Sequence, residues 1–228
     1  FRGPLLHCRS HPRAARTVNV DATLDVAAAC RPGTRFVFAS SLAVLGATVD
    51  ARAPTMVYGA HKAMVEIALE TATRRGEIDA VSLRPGGIVA RTDAGAALRS
   101  AFISQVFWAV ARGDAMTLPV TAEAKTWMTS VPVVAAQFVH AALMADPGPV
   151  RSLTLPMTRC SFGALVAALK AAVPGSRAAI GFVPEAGMMA LFGQAQPLDF
   201  SPALRAGFRP DADLAALVAA ALQTGDSA

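Results

Sequence analysis

The sequence predicts an α/β fold with a parallel sheet, and three observations support this prediction. Strand-like apolar runs at 35–39 and 80–84 alternate with longer segments of helical periodicity, which is typical of parallel strands joined by helical crossovers. Breaker residues at 31–33 and at Gly76 separate these segments. With 228 residues and 54% hydrophobic side chains, the chain can also bury a core of ordinary size.

The amino-terminal part contains the first helix and strand. Residues 1–16 are basic and have neither helical nor strand periodicity, so we expect an irregular leader there. An Ala-rich helix is predicted over 17–30. A buried strand over 35–39 follows it and ends at Ser40 and Ser41.

A second helix and a second strand come next. The helical pattern covers 55–75 and stops at Gly76, and the buried strand covers 80–84. That strand leads into the small residues at 85–87, which either form a plain turn or allow the backbone to approach a flat ligand closely. Further helices are predicted at 96–112, 131–145, 161–173 and 211–222, and further strands at 115–119, 125–129 and 152–155.

Charge and hydropathy argue against two classes of partner. The net charge is +5, but eighteen of the 21 basic residues are Arg, and they are scattered without interleaved aromatic side chains. The longest weakly polar stretch, 131–145, contains Pro132, Gln137 and His140 and is too short and too polar to cross a bilayer. We therefore expect neither nucleic acid nor a membrane as a partner.

The cysteines and histidines argue against disulfide and metal chemistry. Cys8, Cys30 and Cys160 are widely spaced and form no C-x-x-C pair. His7 and His11 lie near Cys8, but no further ligand cluster accompanies them. We expect no metal, and the absence of a signal-peptide pattern favours a cytoplasmic protein.

One tyrosine and one lysine form the strongest catalytic candidate. Lys62 lies four residues after Tyr58, the single tyrosine, so the two side chains share a face of the predicted helix. A phenol with a pKa of about 10 is a poor base at neutral pH, but a neighbouring ammonium lowers that pKa. The pair can then exchange a proton with a substrate hydroxyl. The alternative is a solvated helix face, on which this spacing is common.

Two serines lie where a ligand is expected. Ser40 and Ser41 follow a buried strand, at the carboxyl edge of the predicted parallel sheet, where open α/β proteins bind their ligands. One of the two hydroxyls could instead bond to its own backbone and end the strand.

Together these motifs resemble those of a known family. The stretches VNVDAT at 18–23, FVFASSLAVLG at 36–46, YGAHK at 58–62 and LRP at 83–85 are similar, in this order, to the extended short-chain dehydrogenase/reductase family. That family also contains the NAD-dependent epimerases and dehydratases. The resemblance covers roughly residues 17 to 222. It implies a Rossmann-like, doubly wound parallel sheet, which here lacks its first strands, and a smaller carboxy-terminal α+β part that binds substrate.

The resemblance implies a role for each matching residue. Ser41 would orient the substrate oxygen, Tyr58 would be the acid/base, and Lys62 would hold the nicotinamide ribose and tune Tyr58. Asn19 would be a structural or proton-relay residue on the cofactor side, where Ser40 would also lie. The backbone that lines the nicotinamide would come from Pro85, Gly86 and Ile88.

The implied cofactor is NAD, and NADP is not excluded. The resemblance divides the chain into the leader at 1–16, a partial dinucleotide-binding domain with the catalytic motif at 17–95, and a mainly substrate-binding part at 96–228. No glycine-rich G-x-x-G-x-x-G turn follows a strand, so the usual site for the pyrophosphate is missing from the sequence. We therefore expect this chain alone not to bind NAD measurably.

Downstream, the chain looks most like the branch that includes D-erythronate dehydrogenases. This resemblance implies a homodimer, formed through the helices at 17–30 and 55–75, that oxidises a secondary hydroxyl of a small sugar acid. Arg91 would then clamp the substrate carboxylate, or else form a surface salt bridge. The other candidate substrate-binding residues are Ser41, Trp127 and Ser130, although Trp127 could simply be core.

Two alternatives stay open. A nucleotide-sugar epimerase or dehydratase would need further acid/base residues, of which the sequence offers no convincing pair. A non-catalytic fragment is favoured by the missing glycine-rich turn and by the short loop between Ser41 and Tyr58, and is opposed by the intact Ser, Tyr and Lys. His61 is expected to face solvent or the dimer helix, and His140 to lie in the core or on the dimer face.

Overall fold

The structure, a computed structural model, describes residues 11–46, 51–90 and 100–223. It confirms the predicted α/β class. In chain order the helices are α1 (Pro12–Arg16), α2 (Ala22–Ala28), α3 (Val57–Arg74), α4 (Ala101–Arg112), α5 (Val131–Leu143), α6 (Phe162–Ala172), α7 (Ala186–Phe192), α8 (Ser201–Arg205) and α9 (Leu214–Gln223). The strands are β1 (Arg35–Ala39), β2 (Asp79–Arg84), β3 (Gly87–Ile88), β4 (Met116–Leu118), β5 (Lys125–Thr129), β6 (Ser152–Thr154), β7 (Thr158–Ser161) and β8 (Ile180–Phe182).

These elements form two compact units that are interleaved along the chain. The first contains the described residues of Phe1–Pro85, Ala136–Pro156 and Pro197–Arg209. The second contains those of Gly86–Ala135, Met157–Gln196 and Pro210–Ala228. The division into consecutive functional segments at 17–95 and 96–228 stays a prediction.

The first unit is built on a parallel sheet in the order β1, β2, β6. Phe38 is opposite Ser82, and Ser82 is opposite Ser152, so the carboxyl ends of all three strands lie at one edge. Its hydrophobic core joins the sheet to the helices, because side chains of β1 and β2 pack with those of α3. The largest buried members are Phe38, Val65, Leu69 and Ile78.

The start of the chain differs from its prediction. Residues 12–16, expected to be irregular, form helix α1, with Pro12 in its first turn, where a missing N–H does no harm. A π-helical turn over Thr17–Asp21 then leads into α2. The short basic segment showed no helical period because only Ala15 in α1 is buried.

The second unit mixes parallel and antiparallel strand pairs, which is typical of an α+β arrangement. β3 runs parallel to β5, β5 runs antiparallel to β7, and β4 pairs with β8. Four of its short elements and one of the first unit were not predicted: β3, β7, β8, α7 and α8. The core that holds this unit together includes Phe107, Leu118, Met128, Phe162 and Leu165.

Two kinds of feature are absent from the part of the chain that the structure describes. None of its helices is both long enough and apolar enough to span a membrane. It also contains no group of three His, Cys, Asp or Glu side chains arranged to hold a metal ion.

Candidate active site

Tyr58 and Lys62 lie one helical turn apart at the start of α3, and both are half-buried. The Lys62 ammonium is 5.7 Å from the centre of the Tyr58 ring and 4.6 Å from that of Phe38. Its Nζ donates a hydrogen bond of 2.7 Å to the carbonyl oxygen of Ala39. The end of β1 therefore holds the ammonium beside the phenol.

Burial lowers the pKa of Lys62 below its ordinary value, and the carboxylate of Glu66 one turn further along opposes this shift. A desolvated ammonium interacts more strongly with a neighbouring group than a hydrated one does, because the local dielectric is low. The half-buried position of Lys62 thus strengthens its interaction with the neighbouring Tyr58 ring.

Two glycines allow the serine segment to lie close to α3 and to the loop before it. Leu42–Val44 form one 3₁₀ turn directly after Ser41. A Cβ on Gly59 would lie 2.1 Å from the Ala43 carbonyl oxygen, so any other residue would push α3 away from this turn. Gly46 has φ +59°, and a Cβ there would lie 1.8 Å from the Ala53 oxygen.

The two serines have different partners. Ser40 is buried, and its hydroxyl donates to Oε1 of Glu66 at 2.5 Å. Ser41 is half-buried, and its Oγ accepts a 3.2 Å hydrogen bond from the Ala43 amide at the start of the 3₁₀ turn. Within the described part of the chain no acceptor takes the hydroxyl hydrogen of Ser41, whereas that of Ser40 is committed to Glu66.

The same segment runs beside the end of β2. The Ser40 amide donates to the Leu83 oxygen at 2.8 Å, and the Leu42 amide donates to the Pro85 oxygen at 3.1 Å. The structure therefore brings together the predicted residues Ser40, Ser41, Tyr58, Lys62 and Pro85 in the first unit.

Asn19 lies in the π-helical turn and is buried, with its amide nitrogen 3.5 Å from Nδ1 of His61. π-helical turns occur often at functional sites. The expectation that His61 faces solvent was wrong, because its side chain is buried and lies beside this turn. The alternative, that it faces a dimer helix, stays a prediction. Burial lowers the pKa of His61, the charge of Arg16 lowers it further, and Asp21 opposes both.

The structure adds a buried carboxylate that the sequence did not single out. Glu66 is fully buried in α3 and accepts two hydrogen bonds from Arg84, of 2.8 and 2.6 Å. It also accepts one from Ser40 and one of 2.8 Å from Arg52. Four hydrogen bonds on one carboxylate fix the position of Ser40 relative to α3.

The charge of Glu66 is stabilised by these partners. Burial alone would raise its pKa, but the hydrogen bonds and charge of Arg84, with the hydrogen bonds of Ser40 and Arg52, outweigh burial and hold the pKa below 4.5. One signal could have revealed this residue, since Glu66 continues the four-residue spacing of Tyr58 and Lys62 along one helix face.

The other predicted residues belong to the second unit or are not described. Gly86 and Ile88 are half-buried, and the chain at 87–88 pairs with β5. A Cβ on Gly87 would lie 2.9 Å from the Trp127 oxygen, so close strand pairing accounts for that glycine. Arg91 lies outside the described residues.

Trp127 and Ser130 both have partners within the second unit. The Trp127 indole donates to the Gln196 oxygen at 2.9 Å, and the Arg159 guanidinium lies 5.9 Å from its ring centre. Ser130 has no exposed surface, and its hydroxyl donates to Asp211 at 2.6 Å. Their roles in substrate binding stay predictions, and in this structure the Ser130 hydroxyl is committed to Asp211.

His140 lies in the first unit and packs as expected for a structural histidine. Its Nε2 is 2.8 Å from the Ala206 oxygen, and its ring meets that of Phe208 edge to face with centres 4.8 Å apart. Gly207, with φ +92°, turns the chain directly under the imidazole.

Residues 6–143, more than half of the chain, match the family described as NAD dependent epimerase/dehydratase family. The chain is 31% identical over 156 residues to a D-erythronate dehydrogenase of Haemophilus influenzae, which covers 64% of this chain and 49% of that protein. A D-erythronate dehydrogenase of Cupriavidus necator is 30% identical over 165 residues, covering 67% and 51%. The chain spans about half the length of these two relatives.

Solved structures share the fold. A nucleoside-diphosphate-sugar epimerase from Agrobacterium tumefaciens superposes with a TM-score of 0.82 at 25% identity, covering 94% of this chain and 68% of that one. An L-threonine dehydrogenase from Cupriavidus necator in its holo form gives a TM-score of 0.82 at 21% identity, covering 96% and 75%. These matches support the Rossmann-like assignment.

Proposed function

The chain belongs to the NAD dependent epimerase/dehydratase family, and we propose that it supplies the catalytic residues for NAD-dependent oxidation of a secondary hydroxyl on a small sugar acid. The observation that carries the proposal is the hydrogen bond from Lys62 to Ala39, which holds an ammonium beside Tyr58 at the carboxyl edge of the sheet. The substrate class rests on the two relatives named D-erythronate dehydrogenase.

The donor set of Lys62 fits the ribose of a nicotinamide nucleotide. An ammonium has three N–H donors. One is taken by the Ala39 oxygen, and no other hydrogen bond engages Nζ among the described residues. Two donors are therefore left for a pair of ribose hydroxyls. NAD is the cofactor we propose, with NADP as the alternative.

The chain's own groups would handle the proton. Ser41 would donate its hydroxyl hydrogen to the substrate oxygen and so hold the alcohol against Tyr58. The Tyr58 oxygen would accept the alcohol proton while Lys62 stabilises the phenolate that is ready to take it. When bound, the nicotinamide supplies the acceptor for the hydride that leaves the same carbon. The alcohol thus loses two electrons and two hydrogens to give a ketone.

A substrate screen tests the proposed chemistry. The relatives are about twice as long as the matched region, so the assay uses this chain fused to the part of the Haemophilus influenzae relative that lies outside the match. We expect oxidation of a four-carbon sugar acid at its C2 hydroxyl, with little turnover of nucleotide sugars. Arg91→Ala should raise the Michaelis constant more than it lowers turnover, as loss of ground-state carboxylate binding does.

The alternatives give different outcomes in the same screen. Turnover confined to nucleotide sugars would favour an epimerase or dehydratase and contradict the sugar-acid proposal. A folded fusion that binds NAD and turns over neither class of substrate would favour a non-catalytic chain. If Arg91→Ala changes the Michaelis constant and the turnover number by the same factor, Arg91 does not clamp the substrate carboxylate.

We further propose that the protein is a homodimer joined through α2 and α3. Large apolar side chains are exposed on these helices and on the turn before them: Val18, Val26, Met64 and Ile67. On α3, Val57, Met64 and Ile67 recur at helical spacing and form one apolar stripe. A second copy would bury these stripes against each other.

Charge placed on the stripe should separate the subunits. Ile67 is 52% exposed, and Ile67→Glu is expected to shift the solution mass, measured by light scattering, from two chains to one. Val139→Glu is the matched control, because Val139 is 57% exposed but lies on α5. A monomeric parent, or a control that dissociates as readily as Ile67→Glu, would contradict the proposed interface.

A further inference from the structure

A cavity of about 660 Å³ lies in the first unit, beside the carboxy-terminal half of α3 and the start of β6. Its size is typical of small-molecule sites. Its described lining includes four arginines, Arg52, Arg74, Arg84 and Arg151, and only one carboxylate, Glu70. Tyr58, Lys62 and Ser41 are not part of this lining, so the cavity is not the proposed hydroxyl-oxidising site.

The arginines around the cavity are only partly neutralised. Among the described residues, three carboxylates contact these arginines, and a fifth arginine, Arg35, shares Asp79 with Arg151. Within that set, five guanidinium groups against three carboxylates leave two positive charges in excess. The ion pairs are Arg52 and Arg84 with Glu66, Arg52 with Glu70, and Arg35 and Arg151 with Asp79, while Arg74 bonds to the Thr71 hydroxyl.

Several N–H donors are left over. Glu66 accepts hydrogen bonds from Nε and Nη2 of Arg84. In Arg52, Nε donates to Glu66, and Nη2 donates to Glu70 and Ser152. Within 11–46, 51–90 and 100–223, no hydrogen bond engages Nη1 of either arginine. The ion pairs also fix the positions of these guanidinium groups, so binding a ligand costs little side-chain entropy.

We propose that this cavity binds the phosphate group of a small phosphorylated molecule. Two uncompensated positive charges match a phosphate dianion, whereas a single carboxylate would neutralise only one of them. The guanidinium groups come from four places, the loop before α3, the end of α3, β2 and the residue before β6. They therefore surround the cavity from several sides, which suits the oxygens of a tetrahedral phosphate better than a planar carboxylate.

Calorimetric titration of the 228-residue chain tests the proposal, with inorganic phosphate and AMP as probes at constant ionic strength. We expect saturable one-to-one binding that Arg74→Gln weakens at least about tenfold, because a charge-assisted hydrogen bond is lost. Glu70→Gln should tighten binding several-fold, because it removes the carboxylate that lines the cavity. Tighter binding of AMP than of phosphate would identify a phosphorylated metabolite as the ligand, and equal binding would identify phosphate itself.

Arg75→Gln is the matched control. Arg75 is next to Arg74 and carries the same charge, but it pairs with Glu77 on the surface and does not line the cavity. The affinity of the Arg75→Gln variant for phosphate should stay within about twofold of the affinity of the parent chain. Equal weakening in the two Arg→Gln variants, or no saturable binding up to about 10 mM, would overturn the proposal. So would a dicarboxylate such as succinate binding in preference to phosphate.

Discussion

Tyr58→Phe is expected to lower the turnover number of the fused enzyme at least about a hundredfold, the usual scale for losing a positioned acid/base. The substitution removes only the phenol oxygen, so the ring stays against the Lys62 ammonium. Because Tyr58 is the single tyrosine of this chain, no neighbouring phenol in it can take over. Steady-state rates on the four-carbon sugar acid, with thermal melting to check folding, provide the measurement.

The serines supply an internal control for this result. Ser41→Ala should lower turnover, because its hydroxyl hydrogen is the proposed donor to the substrate, and should cost only about 1 kcal/mol of stability through the lost hydrogen bond from the Ala43 amide. Ser40→Ala should mainly lower stability, because its hydroxyl is bonded to the buried Glu66. Lys62→Met should act like Tyr58→Phe. Near-normal turnover in Tyr58→Phe would contradict the assignment of Tyr58 as the acid/base. Equal loss of turnover in Ser40→Ala and Ser41→Ala would contradict the separate roles of the two serines.

Much of the sheet could be predicted because its strands read as continuous apolar runs, although only β2 is largely buried and β1 is mostly half-buried. The predicted strand over 35–39 matches β1, and the prediction for β2 differs only by Asp79. Elements such as β8 and α7 escaped prediction because they are short and bury little, β8 being half-buried and α7 mostly exposed. Their conformation depends on partners far away in sequence, as in the pairing of β8 with β4.

The site could be predicted only where it rests on local spacing. Tyr58 and Lys62 share a helix face at four-residue spacing, which the sequence displays directly. The Glu66–Arg84 pair joins residues eighteen positions apart, and nothing local to either residue predicts it. The same holds for His61, whose burial depends on the π-helical turn around Asn19.

Glu66→Gln is expected to lower the free energy of unfolding by about 3 kcal/mol at pH 7, because it leaves the buried Arg84 guanidinium without its charge partner. Gln keeps nearly the same shape, so the loss reports charge and hydrogen bonding and not a cavity. Urea denaturation of the 228-residue chain followed by circular dichroism measures the effect. Glu77→Gln is the matched control, since Glu77 forms a solvent-exposed pair with Arg75. Its effect should stay below about 1 kcal/mol.

The difference between parent and Glu66→Gln should depend on pH in a defined direction. Arg84, Ser40 and Arg52 hold the pKa of Glu66 below its ordinary value of 4.5 in the folded chain, despite the opposing effect of burial. A carboxyl with a lowered folded-state pKa stabilises the fold fully above its unfolded pKa, and this contribution is lost as the pH falls through the folded-state pKa. The stability gap should therefore be constant between about pH 6 and 8 and should narrow only below about pH 4.5. A gap that is no larger than that of Glu77→Gln, or that persists unchanged into acid, would show that the Glu66 charge does not stabilise the segment carrying Ser40.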